Sequence, residues 1–266
     1  MRILSWNCRG LGNKPTFRVL QRLIHSEGPD VVFVTETRLH EAEMLRHCGI
    51  GGLSNLFPVL CARGGRGGGL CLLWGTDVKG KVINASLNHI LLTLAVYGFP
   101  EVQNKHRTWE LIRRLKPSDL APLFCIGDFN DILSPANKLG GDIPEMRHLQ
   151  LVNQACVDCD LHDVGFLGAR FTWTNNRGRQ NSIQEHLDYA LVNQEWAAMW
   201  PVMQVSHIIK HRSDHNPILL SFLTRKGHRE LRRTHLFIFE ELWLQEGDEC
   251  AKIVAETWCR SRTDFT

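Results

Sequence analysis

Short apolar runs of about five residues recur along this chain, and several of them stop at, or start from, a side chain able to hold a cation, a water or a phosphate. "RILSW" (2–6) runs into Asn7, and "VVFVT" (31–35) into Glu36. "LLTLAV" (91–96) runs into Tyr97, and "LFCIG" (123–127) into Asp128, with Asn130 two residues on. Asp214 and His215, in "SDHNP", stand just before "PILLSF" (217–222). Runs this short and apolar throughout read as strands covered on both faces. Such strands have one place for polar groups that costs the core nothing, which is their ends. In open α/β structures ligands gather at one end of the sheet.

Between the runs lie segments of helical period. Phe17, Leu20, Leu23 and Ile24 share one face of a helix that Gly28-Pro29 ends. Trp109, Leu111, Ile112 and Leu115 do the same over 104–116, before Pro117. Further helices are expected at 40–48, 145–156 and 194–200. "KVINASL" and "HILLTLAVYG" read as a strand pair with Asn88-His89 near the turn. A glycine loop leads into "LCLLW" (70–74), and "VMQVSHII" (202–209) holds a further strand. "RFTWT" and "HLDYALVN" read as a hairpin joined by the polar loop "NNRGRQNSIQ". The pattern is mixed α/β, with sheets covered by helices. It occupies 1–222. A basic linker, 223–236, and an amphipathic helical tail, 237–266, follow, the tail carrying Phe239, Leu242, Trp243, Ile253, Val254 and Trp258.

Composition excludes several classes. With 43% hydrophobic and 22% charged residues, 266 residues are enough for a sizeable core. The net charge of +3 is compatible with a polyanionic partner without demanding one. No apolar run approaches the ~18–20 residues that span a bilayer, and the N-terminus lacks the features of a signal peptide. Nine cysteines without regular spacing suit free thiols in an intracellular, reducing compartment, nucleus or cytoplasm alike. Cys156 and Cys159 form a lone CxxC near His162, with no second pair to complete a zinc site. The glycines at 64–69 lack the Lys-Ser/Thr ending of a phosphate-binding P-loop.

The strand-end residues form a coherent chemical set. Glu36 and Asp214 are hard oxygen donors suited to Mg2+, or to Mn2+, and Asn7 adds a neutral oxygen. Asp128 can take a proton from an attacking water that Asn130 orients, the two sharing a face if the local chain is extended. His215 and Tyr97 can stabilise charge building on a phosphate. Asp188, in "HLDYALVN", is a candidate to hold the imidazole in one tautomer. Each residue also has a plain reading when taken alone. Asn7 can cap a turn, Glu36 can be a solvated strand end, Tyr97 a rim aromatic, and "GDFN" a tight turn. His89, His162 and His186 read as surface or packing histidines. Pro217 lacks an N–H, so the final strand is expected to begin at or after it. Asp214 and His215 then lie in the entering loop, where strand alternation does not bind them. Asp214 is expected on the metal side and His215 on the phosphate side of one rim.

The motifs "WNCRG", "TET", "YG", "GDFND", "LDYALVN" and "SDHNP" occur in an order that resembles the endonuclease/exonuclease/phosphatase superfamily across 1–222. "WNCRGLGN", "FTWTNNR" and the tail segment "FIFEELWL" are most similar to the endonuclease domain of plant LINE-type, non-LTR retrotransposon polyproteins. The resemblance implies a deoxyribonuclease I-like, two-sheet α/β sandwich with helices outside. It also implies Mg2+-dependent phosphodiester cleavage that leaves a 3′-hydroxyl. Carried over residue by residue, it makes Glu36, Asp214 and Asn7 the metal side, Tyr97 a phosphate contact, and Asp128 with Asn130 the water-activating pair. Asp188 becomes the carboxylate that orients the catalytic His215. Arg9 departs from the pattern, standing where abasic-site enzymes carry an acidic residue. His186 stands where an arginine is common, and no close asparagine follows Tyr97. No reverse transcriptase follows before Thr266, which suits a fragment, a decayed copy or a domesticated gene.

The expected activity is therefore DNA nicking by a monomer that needs no small-molecule cofactor. Arg177, Arg179 and Asn175 in the polar loop are candidates to touch the DNA. A plain hairpin tip is the alternative there. A phosphatase of the same fold acting on an inositol phosphate or phospholipid headgroup shares the core residues, and a silent remnant that only binds nucleic acid is the third reading.

Overall fold

The computed structural model describes residues 1–40, 43, 50–60, 68–78, 82–91, 94–116, 121–178, 181–209 and 213–222. In chain order the elements are β1 (Arg2–Asn7), α1 (Lys14–Glu27), β2 (Val31–Thr35), β3 (Asn55–Val59), β4 (Leu70–Trp74), β5 (Asn84–Ser86), β6 (His89–Leu91) and β7 (Leu94–Tyr97). Then come α2 (Lys105–Leu115), β8 (Phe124–Asp128), β9 (Lys138–Leu139), α3 (Met146–Asp158), β10 (His162–Asp163), β11 (Trp173–Thr174) and β12 (Gln184–Glu185). β13 (Asp188–Val192), α4 (Gln194–Met199), β14 (Met203–His207) and β15 (Ile218–Phe222) complete the series.

Two six-stranded mixed sheets carry the fold, ordered β14-β15-β1-β2-β4-β3 and β10-β13-β8-β7-β6-β5. Each is organised around a central strand. β1 runs parallel to β2 and antiparallel to β15. β8 runs parallel to β7 and antiparallel to β13. Strand alternation sorts the side chains. Ile3, Phe33, Leu72, Ala95, Ile126, Ala190, Ile218 and Leu220 face inward and pack between the sheets. Leu4, Trp6, Val32, Val34, Leu73 and Leu219 face outward and are covered by Val19, Leu20, Leu23 and Ile24 of α1. On the other side, Val96, Cys125, Tyr189 and Leu191 are covered by Trp109 and Ile112 of α2 and Val152 and Ala155 of α3. The expected fold class is thus the observed one. The thiols of Cys125, Cys156 and Cys159 have pKa values raised by burial and serve packing.

The structure differs from the sequence reading in three places. "HILLTLAVYG" is not one strand: it holds β6 and β7, which pair antiparallel with each other, His89 opposite Val96, while β6 alone pairs with β5. β11 does not pair with the strand holding Asp188. It pairs with β12, Trp173 opposite Glu185, while β13 pairs with β8 in the second sheet. The cause is local: the buried Thr172 hydroxyl accepts the N–H groups of Leu187 and Asp188 and redirects the chain. β3 has no counterpart in the sequence reading, because Pro58 interrupts its pattern. Pro58 is tolerated because β3 is an edge strand. The expected helix at 40–48, the loop glycines up to Gly67, Arg179, the linker 223–236 and the tail 237–266 lie wholly or largely outside the described residues.

Candidate active site

The site follows from strand parity. In β1 the inward positions are Ile3, Ser5 and Asn7, and in β8 they are Phe124, Ile126 and Asp128. In β7 they are Ala95 and Tyr97. In each of these strands the last inward position is polar, so Asn7, Asp128 and Tyr97 converge at one rim between the sheets. β13 runs antiparallel to β8, so its first inward residue, Asp188, sits directly opposite Asp128. Tyr97 is in register with Asp128 from the other side. β15 begins at Ile218, and its register with β1 brings the 213–217 loop to the same rim.

Asn7 ties the two sheets together. Its amide nitrogen donates to Asp128 Oδ2 at 2.9 Å and to Glu36 Oε1 at 3.0 Å. Carboxylates only accept, so the nitrogen must face them, and Asn7 Oδ1 instead accepts the Arg9 N–H at 3.2 Å. The sequence reading offered that oxygen to a cation; here the residue positions two carboxylates. Strand alternation would send Glu36 to the helix-covered face, but its φ of 51° turns it back toward Asn7 and Tyr97. Tyr97 donates its hydroxyl to Glu36 Oε1 at 3.3 Å. Burial, followed by the Glu36 and Asp128 charges, raises the phenol's pKa well above its ordinary value, so it stays a donor.

Asp128, Asp188 and His215 form the buried centre, with 1%, 1% and 4% exposure. His215 Nδ1 lies 2.9 Å from Asp188 Oδ2, and its Nε2 lies 3.7 Å from Asp128 Oδ2. Two carboxylates in direct cross-strand register repel each other, and an imidazolium between them removes the conflict. Burial pulls the His215 pKa down, but the Asp188 and Asp128 charges and the Asp188 hydrogen bond outweigh it and raise it to about 9. Asp128 is pushed up to about 7 by burial against the opposing pull of His215 and with the further push of Asp188.

Asn130 differs from the expectation of an extended local chain. Its φ is 52°, so the chain turns there. Its backbone N–H then donates to Asp128 Oδ1 at 2.8 Å, and its side-chain amide donates to Gly98 O at 2.9 Å. Gly98 and Gly127 allow this crowding. A Cβ at Gly127 would stand 1.9 Å from Val96 O, and one at Gly98 would stand 1.9 Å from Phe129 O. Of the six non-glycine residues with positive φ among those described, Arg9, Glu36, Arg38 and Asn130 lie at this rim. Backbone strain of this kind, roughly 1–3 kcal/mol each, concentrates at functional sites.

Asp214 lies in the loop entering β15, beside His215. Its Oδ2 accepts from Trp173 Nε1 at 2.9 Å and from the Arg9 guanidinium. The same guanidinium approaches Glu36 Oε2, Nε at 3.7 Å, and Arg38 Nη2 bonds that oxygen at 2.7 Å. Burial pushes the Glu36 pKa up, but hydrogen bonds from Asn7 and Arg38 and the Arg9 charge outweigh it and leave the pKa lowered. Thus Glu36 and Asp214 converge on one cationic group, and a divalent cation suits the same hard donors. Asp128, Asp188 and His215 also present ligand atoms within 4.8 Å of one another and could hold a cation. Within that group His215 Nδ1 is already engaged with Asp188 Oδ2 by the 2.9 Å hydrogen bond.

Four contributors to this rim escaped the sequence reading. Arg38 pairs with Glu36. Trp173 bonds Asp214. Ser213 Oγ donates to Asn7 O at 2.7 Å and accepts the His215 N–H at 3.1 Å. Thr172 anchors Asp188, and its carbonyl accepts the Asn216 N–H. Ser213 stands inside "SDHNP" and Thr172 and Trp173 inside "FTWTNNR", while Arg38 lies just past "TET". In the hairpin, Asn175 is engaged internally, accepting from Arg177 N and Ile183 N and donating to Asn181 O. The Arg177 side chain is exposed. His186 is a packing residue, stacked on Tyr189 with ring centres 4.3 Å apart, its pKa lowered to about 4 by burial and then by His207.

Comparisons with known proteins bear on the same region. The profile of the Endonuclease/Exonuclease/phosphatase family matches residues 4–215. No curated protein matches the sequence. Among solved structures, the fold is similar to the Xenopus laevis APE2 catalytic domain (TM-score 0.65, 16% identity, 84% of this chain and 91% of that one). It is similar to a 3′-5′ exonuclease, NExo, from Neisseria meningitidis (TM-score 0.59, 20% identity, 84% and 99%). It is similar as well to the endonuclease domain of TRAS1, a telomere-specific non-LTR retrotransposon (TM-score 0.57, 16% identity, 85% and 99%).

Proposed function

The chain belongs to the endonuclease/exonuclease/phosphatase family, and from that premise we propose that it is a Mg2+-dependent phosphodiesterase of retrotransposon origin that nicks DNA and leaves a 3′-hydroxyl. The observation that carries the reading is the buried Asp128–His215–Asp188 array beside the Glu36–Asp214 carboxylate pair, all on one rim. Asp128 takes the proton of an attacking water, with its carboxylate held by Asn7 and the Asn130 backbone. Asn130, fixed on Gly98, borders the place where that water would stand. His215, kept protonated between two carboxylates and oriented through Nδ1 by Asp188, donates from Nε2 to a phosphate oxygen as charge builds there. Tyr97 supplies a second donor, a neutral one. Glu36 and Asp214 would hold the cation, with Asn7 setting the Glu36 oxygen; when bound, that ion neutralises phosphate charge.

DNA is favoured over a lipid or inositol headgroup by the hairpin. Its root is bonded to the site, through Trp173 Nε1 to Asp214 and Thr174 N to the Asp214 carbonyl, and its exposed tip carries Arg177. The likeness to TRAS1, a retrotransposon endonuclease domain, and the motif order support the proposed origin. No described helix is long and apolar enough to cross a membrane. The deciding experiment presents supercoiled plasmid and a panel of phosphomonoesters, including inositol phosphates, to the protein with Mg2+. Open-circle product whose ends a DNA polymerase extends supports the reading. Inorganic phosphate released from monoesters without nicking supports the phosphatase instead.

A further inference from the structure

Arg9 is the cationic group on which the proposed metal side closes. Its guanidinium contacts Asp214 Oδ2 and lies 3.7 Å from Glu36 Oε2 through Nε. Arg38 adds a second cation on Glu36 Oε2. In the described ion pairs these two carboxylates already face two guanidinium groups, so an approaching divalent cation must compete with them for both oxygens. The backbone of Arg9 is fixed, at φ 48° with its N–H on Asn7 Oδ1, while its side chain is 49% exposed. The side chain can therefore leave without disturbing Asn7. Arg38, by contrast, contacts Glu36 alone of the two carboxylates in the described ion pairs.

We propose that Arg9 is a gate for the cation: in the free protein its guanidinium bridges Glu36 and Asp214, and it must swing out before a divalent cation binds both carboxylates. The inference rests on the reading of Glu36 and Asp214 as the metal side. It has a thermodynamic consequence. An anion that draws the guanidinium outward, such as a substrate phosphate, raises the affinity for the cation, and by reciprocity the cation raises affinity for the anion. Cation loading is thereby tied to substrate arrival, a coupling that an acidic residue at position 9 could not supply.

The test is direct binding of Mn2+ to the full chain, followed by electron paramagnetic resonance, with no turnover required. Wild type, Arg9→Gln and Arg9→Lys are compared, with folding checked by circular dichroism. Arg9→Gln is expected to bind Mn2+ about five- to tenfold more tightly than wild type, the size of a lost ion pair. Arg9→Lys, whose single ammonium cannot span two carboxylates, is expected between them and keeps the test readable if Arg9→Gln folds poorly. An Asp128→Asn background spares a bound duplex from cleavage. In that background, adding a DNA duplex is expected to tighten Mn2+ binding when Arg9 is present, and to tighten it less when Arg9→Gln removes the guanidinium. Equal or weaker Mn2+ binding in Arg9→Gln overturns the gate while leaving the metal side standing. Absence of Mn2+ binding in every variant overturns both, and plasmid nicking then tells whether catalysis survives without that metal side.

Discussion

At the scale of single residues, the centre depends on one buried imidazole placed between two carboxylates that strand register sets face to face. That arrangement has a pH signature. The folded pKa of His215, about 9, exceeds its ordinary 6.5. The stabilisation from its protonation is therefore fully present below about 6.5 and is lost as pH rises through about 9. Thermal midpoints of the metal-free protein across that window are expected to fall more steeply for wild type than for His215→Gln; parallel slopes would place the proton elsewhere. Asp188→Asn keeps the shape but removes the charge that orients His215, and is expected to lower the nicking rate by about 10²–10⁴. Single-turnover rates check this. These candidate residues were legible in the sequence because polar side chains at strand ends sit in short motifs. The roles of Trp173 and Thr172 were not, although both stand in "FTWTNNR", because their partners Asp214, Leu187 and Asp188 lie far along the chain; Arg38 meets Glu36 only because both residues take positive φ.

At the scale of elements, the rim exists because parity makes the last inward residue of β1, β7 and β8 polar, and because glycines let the strands approach there. The "GDFN" motif is legible as chemistry, yet its glycine has a separate duty in holding β8 against β7. Gly127→Ala is expected to destabilise the fold by about 2–4 kcal/mol, combining positive-φ strain with the clash on Val96 O. Gly165→Ala also has positive φ but meets nothing within 4 Å, so it is expected to cost only about 1 kcal/mol. Urea unfolding of the two variants separates strain from close approach. The apolar runs and the helical faces of α1, α2 and α3 were readable from period alone. The pairing of β11 with β12 was not, because it depends on the Thr172 hydroxyl turning the chain. β3 was hidden by Pro58, which only its edge position permits.

At the scale of the whole molecule, two mixed sheets packed face to face, with helices outside, leave one rim where both sheets deliver polar ends. The order of motifs along the chain pointed to this architecture; the meeting of Asn7 from one sheet with Asp128 from the other is a product of sheet-on-sheet packing that no local window contains. With a net charge of only +3, affinity for DNA is expected to come from local features such as the hairpin. Arg177→Glu is expected to weaken duplex binding and to lower the salt slope by about one phosphate contact. Fluorescence anisotropy at several salt concentrations reads both, and an unchanged slope would mean the hairpin tip does not touch DNA. The most direct test of the rim as a phosphodiesterase centre is Mg2+-dependent nicking of supercoiled plasmid by wild type, His215→Ala and Asp128→Asn side by side. The expected result is open-circle product with wild type, abolished by EDTA, and roughly a hundredfold less or lower in each variant; equal nicking by all three, or none by wild type, would contradict it.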